Sequence, residues 1–467
     1  MPSPDSIDRE IAELLELGDR IVAMARERGG PAVVAECVLS SGAELSAKVR
    51  KGEPELVEEA GTRGAGLRVI KGRREASTST SDLTDAGIER FVSDALELSD
   101  LAQEDPFAGP ADPSLLCDPK TAPDVDIFDA AGGAVDAARA IAIAKEAEAA
   151  AFAHDARIAQ SEGATLGRVS GVLAMVLSSG FRGAYKGSYH SLSVVPVVAD
   201  EGGKNRRGFF FSAKRHFAEL DSAESVGREA ARRALRKLGA RSIATCEACV
   251  VFDPDAARSI LSMMATCVLG SSIWRKSSYL CGREGSRVAS PMVTIVDDPL
   301  MARAPGSRPY DGEGVLSRRN VVVERGVLLT YLCDSYAARK LGRASTASAG
   351  RGSGARVGPA TSNFVLEPGR DSNEAIVRGT ARGLYVTEMM GFGFNAITGD
   401  FSRGASGFWI EGGELAYPVS EVTISLNVDE LWQRIDAVGS DLDLRTSMAS
   451  PTLRVSRMTV AGGLAEG

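Results

Sequence analysis

Apolar residues recur at helical spacing near the start of the chain and again before residue 102. Segment Ser6–Arg28 places apolar residues on one face of a helix, and Thr84–Ala102 does the same. Asp5 or Ser6 can cap the first helix, and Gly29-Gly30-Pro31 ends it. The pattern therefore predicts two amphipathic helices in this part of the chain.

Around these helices the pattern changes to strand-like runs bounded by turn residues. Two hairpins are predicted, one over residues 32–50 with its turn at Ser41-Gly42, and one over residues 66–81 with its turn at Gly72. A Pro- and Asp-rich surface connection follows the second helix. Further strands are predicted within 156–199 and 208–213, and helices over 127–154 and 222–238. Helices packed on an antiparallel sheet make the first half an α+β arrangement.

The second half begins with a strand at Val250–Asp253 and a helix at Pro254–Gly270. From Pro291 onward, short strands alternate with Gly and Asp turns, a spacing that predicts a closed or nearly closed β-barrel. We therefore predict an α+β protein with an N-terminal domain at 1–240 and a mostly-β, barrel-like domain at 241–467.

Composition and charge exclude several classes of protein. The net charge of −8 comes without a basic stripe, which disfavours nucleic-acid binding. No apolar run is long enough to cross a bilayer, and the acidic, amphipathic start is unlike a signal peptide, so we expect a cytoplasmic protein with no membrane association. The seven scattered cysteines are expected to be reduced thiols.

A glycine-rich run at Thr398–Tyr417, with its neighbour Tyr385–Phe394, is the most distinctive stretch of the sequence. It predicts a strand, a Gly-rich loop, a second strand, a hairpin turn at Glu411-Gly412-Gly413-Glu414 and a third strand. The charged pair Asp400 and Arg403 lies among the glycines. By local physics alone, such a run is most often a tight corner in a β-domain.

This run resembles a signature of the TldD/PmbA family, in its TldE (PmbA) branch. The resemblance covers most of the chain and is dense from Cys249 to the end. Further segments that match the family pattern in order are Val251–Pro254, Val288–Pro291, Val296–Pro299, Arg308–Gly314, Tyr331–Gly342 and Met458–Gly463. Several independent motifs in the right order make the resemblance specific.

The resemblance also implies where chemistry should be sought. The TldD branch is a zinc peptidase with a His-Glu-…-His motif on the helix after the boundary strand and a Cys ligand near the C-terminus. Here the equivalent helix, Asp255–Gly270, contains no histidine, and Ser440–Pro451 contains no cysteine. The chain's three histidines, His154, His190 and His216, all lie in the first half. We therefore expect no catalytic residue and no metal site in this chain, with zinc held by a partner subunit.

Other candidate sites are weaker. Cys246-Glu247-Ala248-Cys249 is a single CxxC without a second pair, and it is expected to be incidental. Ser402 and Ser406 lack a nucleophile-elbow context. Residues 350–354 are expected to form a mobile loop, which the resemblance places beside the substrate cleft. Asp297-Asp298 and Asp311-x-Glu313 are expected to be solvated turns.

The leading hypothesis is a non-catalytic, TldE-like subunit that forms a complex with a TldD-like zinc peptidase and acts on unstructured peptides. Asp400, Phe401, Ser402 and Arg403 are the candidates for lining the substrate cleft. One alternative is a self-sufficient metalloprotease. Another is a homo-oligomeric scaffold or modulator without peptidase activity, and a homodimer is possible when the chain is alone.

Overall fold

A computed structural model of the chain describes residues 4–352 and 354–463, with side chains from residue 7 onward. In the first half, four helices accompany seven strands. The helices are α1 (Pro4–Gly29), α2 (Asp85–Leu101), α3 (Ala137–His154) and α4 (Ala223–Leu235). The strands are β1 (Val34–Arg50), β2 (Glu53–Lys71), β3 (Arg74–Thr80), β4 (Gln160–Leu177), β5 (Arg182–Ala199), β6 (Asn205–Arg207) and β7 (Phe210–Lys214).

These strands form one antiparallel sheet in the order β3-β2-β1-β4-β5-β6, with β7 also paired to β5. Alternate residues of β1 point to one face, where helices cover them. Ala35, Cys37 and Leu39 pack with α1 and α2, and Leu45 and Ala47 pack with α3 and α4. The predicted layer of helices on an antiparallel sheet is confirmed.

The turn predicted at Ser41-Gly42 is wrong, because β1 runs through it unbroken. Gly42 pairs with Thr62 of β2 and with Gly171 of β4. A Cβ on Gly171 would lie 2.5 Å from the Ser41 carbonyl oxygen, so this glycine permits close strand approach. The chain instead reverses at Lys51-Gly52, where both φ angles are positive.

The second half contains five helices and thirteen strands within the described ranges. The helices are α5 (Pro254–Cys267), α6 (Gly270–Trp274), α7 (Ser335–Leu341), α8 (Asn373–Arg378) and α9 (Val428–Gln433). The strands are β8 (Cys246–Phe252), β9 (Ile295–Asp297), β10 (Asn320–Glu324), β11 (Val327–Leu328), β12 (Ala349–Arg351), β13 (Val357–Pro359), β14 (Phe364–Leu366), β15 (Arg382–Met390), β16 (Asp400–Glu411), β17 (Glu414–Asn427), β18 (Ile435–Val438), β19 (Met448–Ala449) and β20 (Leu453–Ala461).

Five of these strands close into a barrel, which confirms the predicted barrel-like architecture. The order is β17-β16-β15-β8-β20, and pairing of β17 with β20 closes the ring, while β18 extends it beside β20. Trp409 and Trp432 are buried in its core. β9, β10, β11, β14 and β19 form a second sheet, and β12 pairs with β13. No helix among the described residues has the length and apolarity to span a membrane.

The Gly-rich loop predicted ahead of the hairpin turn is instead strand from Asp400 onward, where β16 begins. The hairpin turn at Gly412-Gly413 is confirmed, and both residues have positive φ. Gly407 serves close packing, because a Cβ there would lie 1.8 Å from the Tyr385 carbonyl oxygen. The glycine signal was therefore correct for the turn, whereas within β16 it marks tight strand contact.

The carboxylates expected in solvated turns are mostly buried, so that prediction is wrong for Asp297, Asp311 and Glu313. Asp311 accepts hydrogen bonds from the backbone N–H groups of Glu313, Val315 and Ala349 at 2.9–3.0 Å. Burial raises the pKa of Asp297 to about 6. These carboxylates satisfy backbone donors inside the second half, a role that composition does not reveal.

A buried ion-pair cluster joins the two halves of the chain. Glu36 of β1 is paired with Arg68 of β2 at 3.0 Å and with Arg351 of β12. All three side chains are 3% exposed or less. Arg351 was predicted to lie in a mobile loop; the structure instead places it in β12 and packs it against the sheet of the first half. The predicted division at residue 240 stays a prediction.

Candidate functional site

The helix after the boundary strand is where a metal centre would be expected. Strand β8 ends at Phe252, and Asp253 then caps α5 by accepting a hydrogen bond from the Ala256 N–H at 2.8 Å. Burial raises the pKa of Asp253 to about 7. Leu261, Met263 and Met264 are buried in the hydrophobic core, as their helical spacing predicts.

Three arginines surround Asp255 in the first turn of α5. Arg233 of α4 lies 2.9 Å away, Arg445 lies 3.3 Å away, and Arg258 lies 3.5 Å away. Burial alone would raise the pKa of Asp255, but Arg233, Arg445 and Arg258 lower it. Arg445 belongs to Ser440–Pro451, so the structure does bring together the two segments named by the family resemblance.

The chemistry of this meeting point does not fit zinc. Zinc in proteins takes imidazole, thiolate or carboxylate ligands, whereas guanidinium groups are cationic and have no lone pair to offer. Asp255 is already paired with its three arginines, and the neighbouring carboxylates Glu229 and Asp443 are paired with Arg233 and Arg445. Across residues 4–352 and 354–463, no group of three or more His, Cys, Asp or Glu side chains could hold a metal ion.

The three histidines lie in the first half, as the sequence places them. His154 ends α3, and His190 lies in β5 at 3.7 Å from Asp129. Burial lowers the pKa of His190, although Asp129 opposes this effect. His216 follows β7 and lies 3.1 Å from Asp126. None of them belongs to the cluster around Asp255.

The buried cap gives a testable pH dependence. Asp253→Asn is expected to raise the free energy of unfolding by about 1–3 kcal/mol more at pH 8 than at pH 5. Asparagine keeps the oxygen that accepts the Ala256 N–H but removes a buried charge. Because the folded pKa of about 7 exceeds the ordinary value of 3.8, the wild-type chain loses stability as the pH rises between these values.

Urea unfolding followed by circular dichroism at both pH values measures this effect. Asp94→Asn, at an exposed position of α2, is the matched control and should change stability by less than about 0.5 kcal/mol at either pH. An equal effect of Asp253→Asn at pH 5 and pH 8 would contradict the assignment of a raised pKa to the Asp253 carboxyl.

The four predicted cleft residues begin β16 at one end of the barrel. Asp400 and Ser402 are exposed and point away from the barrel core, whereas Phe401 is 3% exposed and packs inside it. Arg403 is partly buried on the inner side, which lowers its pKa, and its Nε has no hydrogen-bond partner among the described atoms. Asp400, Ser402 and Arg403 remain candidates for contact with a ligand, while Phe401 stabilises the segment.

The outer face of β16 continues from Asp400 and Ser402 to Ser406, which lines a cleft of about 630 Å³. The cleft lies between the barrel and the tip of the first sheet, where Lys204 reaches Glu421 at 2.7 Å. β15 and β17 each carry a bulge here, at Thr387 and beside Glu421. Such bulges are common at barrel rims and beside active sites. Sequence reasoning missed this cleft because its walls are far apart along the chain.

The remaining sequence candidates acquire structural roles. Cys246 and Cys249 lie three residues apart on β8, so they face opposite sides of the strand and cannot form a CxxC centre. Burial raises the pKa of Cys249 to about 11, which keeps it a thiol. Ser406 donates a hydrogen bond to Glu388 at 3.3 Å, and no described histidine accompanies it.

Comparison with known proteins places this architecture in a family. The chain matches the model for PmbA/TldA metallopeptidase domain 1 at residues 35–99, the central domain at 132–238 and the C-terminal domain at 245–462. It is 36% identical over 428 residues to the protein named metalloprotease PmbA of Escherichia coli O157:H7, covering 92% of each chain. The chain therefore belongs to the PmbA/TldD family, as a PmbA/TldE-like member.

Solved structures agree with this assignment. A protein from Bacteroides thetaiotaomicron, described as a candidate modulator of DNA gyrase, superposes with a TM-score of 0.89 at 27% identity and covers 99% of this chain and 100% of its own. TldE from Thermococcus kodakarensis superposes with a TM-score of 0.84 at 21% identity, covering 96% of this chain and 100% of its own. The second likeness supports the fold alone.

Proposed function

We propose that this chain is the non-catalytic, TldE-like subunit of a two-subunit zinc peptidase that acts on unstructured peptides. The observation that carries this proposal is the cluster around Asp255, where three guanidinium groups occupy the meeting point of α5 and residues 440–451. The family is described as metallopeptidases, whose hydrolysis of peptides depends on a bound metal ion. If this chain takes part in that reaction, another subunit must hold the metal. A TldD-like partner would supply zinc, and this chain would shape the path of the peptide.

The test compares the chain alone with the chain co-expressed with its TldD-type partner. We expect the purified chain to retain less than about 0.1 zinc per molecule after dialysis and to leave a flexible peptide uncut, because its cluster lacks zinc ligands. The complex should bind zinc and cleave the peptide in a chelator-sensitive reaction. Elemental analysis and chromatography of the peptide products measure both results.

Two other functions have their own signatures in this experiment. Stoichiometric zinc and chelator-sensitive hydrolysis by the chain alone would favour the self-sufficient metalloprotease that the name of the Escherichia coli relative suggests. Failure to assemble with any TldD-type subunit, together with stable self-association, would favour a homo-oligomeric scaffold or modulator. Either result would refute the proposal.

The cleft-lining role of Asp400, Ser402 and Arg403 belongs to the same proposal. Replacing all three by alanine is expected to lower kcat/KM of the assembled complex by about tenfold, because a peptide passing this end of the barrel would lose polar contacts. Glu414→Ala, at the exposed start of β17, is the control and should leave kcat/KM unchanged. An unaltered rate in the triple variant would remove these residues from the peptide path.

A further inference from the structure

A second cavity lies between the two halves, on the side of the molecule where β2 and β3 meet the second half. Its volume is about 490 Å³, within the range of ligand sites. Its first wall comes from Arg68, Glu75 and the linker around Asp105, and its second from α6, α7 and β13. The cavity adjoins the buried Glu36–Arg68–Arg351 cluster, because Arg68 belongs to both.

Two arginines at this cavity are available to a ligand. Arg275 and Arg356 line it and are exposed, and neither forms an ion pair with any carboxylate in the part of the chain that the structure describes. Arg68 is 2% exposed at its side chain and also lines the cavity. Its Nε has no acceptor among the described atoms, although Glu36 and Glu75 satisfy its two terminal nitrogens.

The acidic residues of the cavity are already engaged. Glu75 pairs with Arg68 at 2.8 Å, and Asp105 accepts a hydrogen bond from the Tyr336 hydroxyl at 2.6 Å while Lys340 lies 3.5 Å away. Asp334 caps α7 by accepting the Ala337 N–H at 2.8 Å. Three arginines and three carboxylates line the cavity, so its formal charge is balanced, but Arg275 and Arg356 remain hydrogen-bond donors without a carboxylate partner among the described residues.

Aromatic side chains orient one of the free arginines. The Arg275 guanidinium lies 4.9 Å from the centre of the Trp274 ring, and Trp274 meets Tyr336 edge to face at 5.9 Å. An arginine that stacks on an aromatic face keeps its N–H edge free for a planar acceptor. A carboxylate is such an acceptor, and it bonds to guanidinium in a bidentate manner.

We propose that this cavity binds a carboxylate group of an extended peptide, with Arg275 and Arg356 as its ligands and Arg68 behind them. That the carboxylate belongs to a peptide rests on the proposed function; that the ligand is an anion rests on the cavity alone. The carboxylate can come from the chain terminus or from an Asp or Glu side chain. Both sources present the same planar anion.

The experiment measures binding of fluorescein-labelled, flexible peptides of about ten residues to the full chain by anisotropy. Four peptides separate the sources: a neutral sequence with a free C-terminal carboxylate, its C-terminal amide, and the amidated sequence with glutamate or glutamine at its centre. Binding of the free acid over its amide identifies the terminus, and binding of the glutamate peptide over the glutamine peptide identifies a side chain. Equal binding of all four peptides would overturn the proposal.

A charge-matched pair of variants locates the site. R275Q/R356Q is expected to weaken binding of the preferred peptide by about tenfold or more, since it removes two charge-assisted contacts. K120Q/R370Q removes the same charge at exposed positions that do not line the cavity and should change affinity by less than about twofold. Equal weakening by both variants, or none by the first, would overturn the assignment.

Trp274 gives an independent signal, because Trp409 and Trp432 are buried in the barrel core. The preferred unlabelled peptide should change tryptophan emission in the wild-type chain, and this change should disappear in W274F. Persistence of the change in W274F would place the peptide elsewhere and refute the site. The measurement needs neither zinc nor a partner, so its failure is distinct from failure of the proposed function.

Discussion

Replacement of Glu36 by alanine is expected to lower the free energy of unfolding by about 3–5 kcal/mol. Glu36 is the shared counter-charge of Arg68 and Arg351, and all three side chains are buried. Removing it leaves two desolvated guanidinium groups without an anionic partner in the cluster, apart from the Glu75 contact of Arg68. Urea unfolding measures the loss.

The pH dependence provides an internal check. Burial would raise the pKa of Glu36, but the guanidinium groups of Arg68 and Arg351 lower it to about 2. Because this folded pKa lies below the ordinary 4.5, the stability that Glu36 contributes is present above pH 4.5 and is lost as the pH falls through about 2. The difference between the wild-type chain and Glu36→Ala should therefore shrink in acid.

A double-mutant cycle with Arg351→Ala measures how strongly the ion pair couples β1 to β12. The coupling energy should be about 1–3 kcal/mol, since the residues share one buried cluster. Glu421→Ala is the control, because its pair with Lys204 also joins the two halves but is exposed, and it should cost less than about 1 kcal/mol. A loss below about 1 kcal/mol for Glu36→Ala would show that the cluster does not stabilise the fold.

Local signals in the sequence were sufficient to predict helices α1 to α5, whereas the short helices α6 to α9 were not predicted. Thr84, Ser222 and Asp253 each cap the helix that follows, through a side-chain oxygen and a backbone N–H of the first turn. Apolar spacing then fixed the buried faces, as the core positions of Ile88, Phe91 and Val226 illustrate. Short strands bounded by turn residues were likewise sufficient to predict the barrel.

Contacts between residues far apart in the sequence could not be predicted from such local signals. Ser41-Gly42 has the composition of a turn, but pairing with β2 and β4 on both sides holds it extended. Asp297 and Asp311 lie in segments whose composition is typical of solvated turns. Both carboxylates instead accept hydrogen bonds from backbone N–H groups of residues further along the sequence. In each case, tertiary partners override the local preference of the residues.

In the candidate site, too, some features were visible in the sequence and others depend on tertiary contacts. The absence of histidine from α5 was visible in the sequence, whereas the three arginines that gather around Asp255 come from α4, α5 and residues 440–451. Because side chains alternate along β16, Phe401 faces the core whereas Asp400 and Ser402 face outward. This difference could not be predicted from the sequence, because the segment was expected to be a loop. Motif matching located the segment, and only the strand register shows which side chains are accessible.

Gly407→Ala is the second change with a large expected effect, a loss of about 3 kcal/mol or more in the free energy of unfolding. The added Cβ would lie 1.8 Å from the Tyr385 carbonyl oxygen and 3.0 Å from the Val386 Cα. These are backbone atoms of the neighbouring barrel strand, so no side-chain rotation relieves the clash. The bulge at Thr387 follows directly, and the strain would fall on the wall of the 630 Å³ cleft.

Gly404→Ala on the same strand is the matched control. Its added Cβ would meet the Met390 Cβ at 3.5 Å, an ordinary contact, so stability should change by less than about 1 kcal/mol. Thermal unfolding of both variants measures their stabilities. The comparison separates the effect of the close strand contact at Gly407 from the general effect of replacing a glycine in β16. Equal stabilities of the two variants would mean that the β15 backbone at Tyr385 moves to accommodate the added Cβ. The close strand contact at Gly407 would then not constrain the cleft. A selective loss at Gly407 would show that this glycine is required by the packing of β16 against β15.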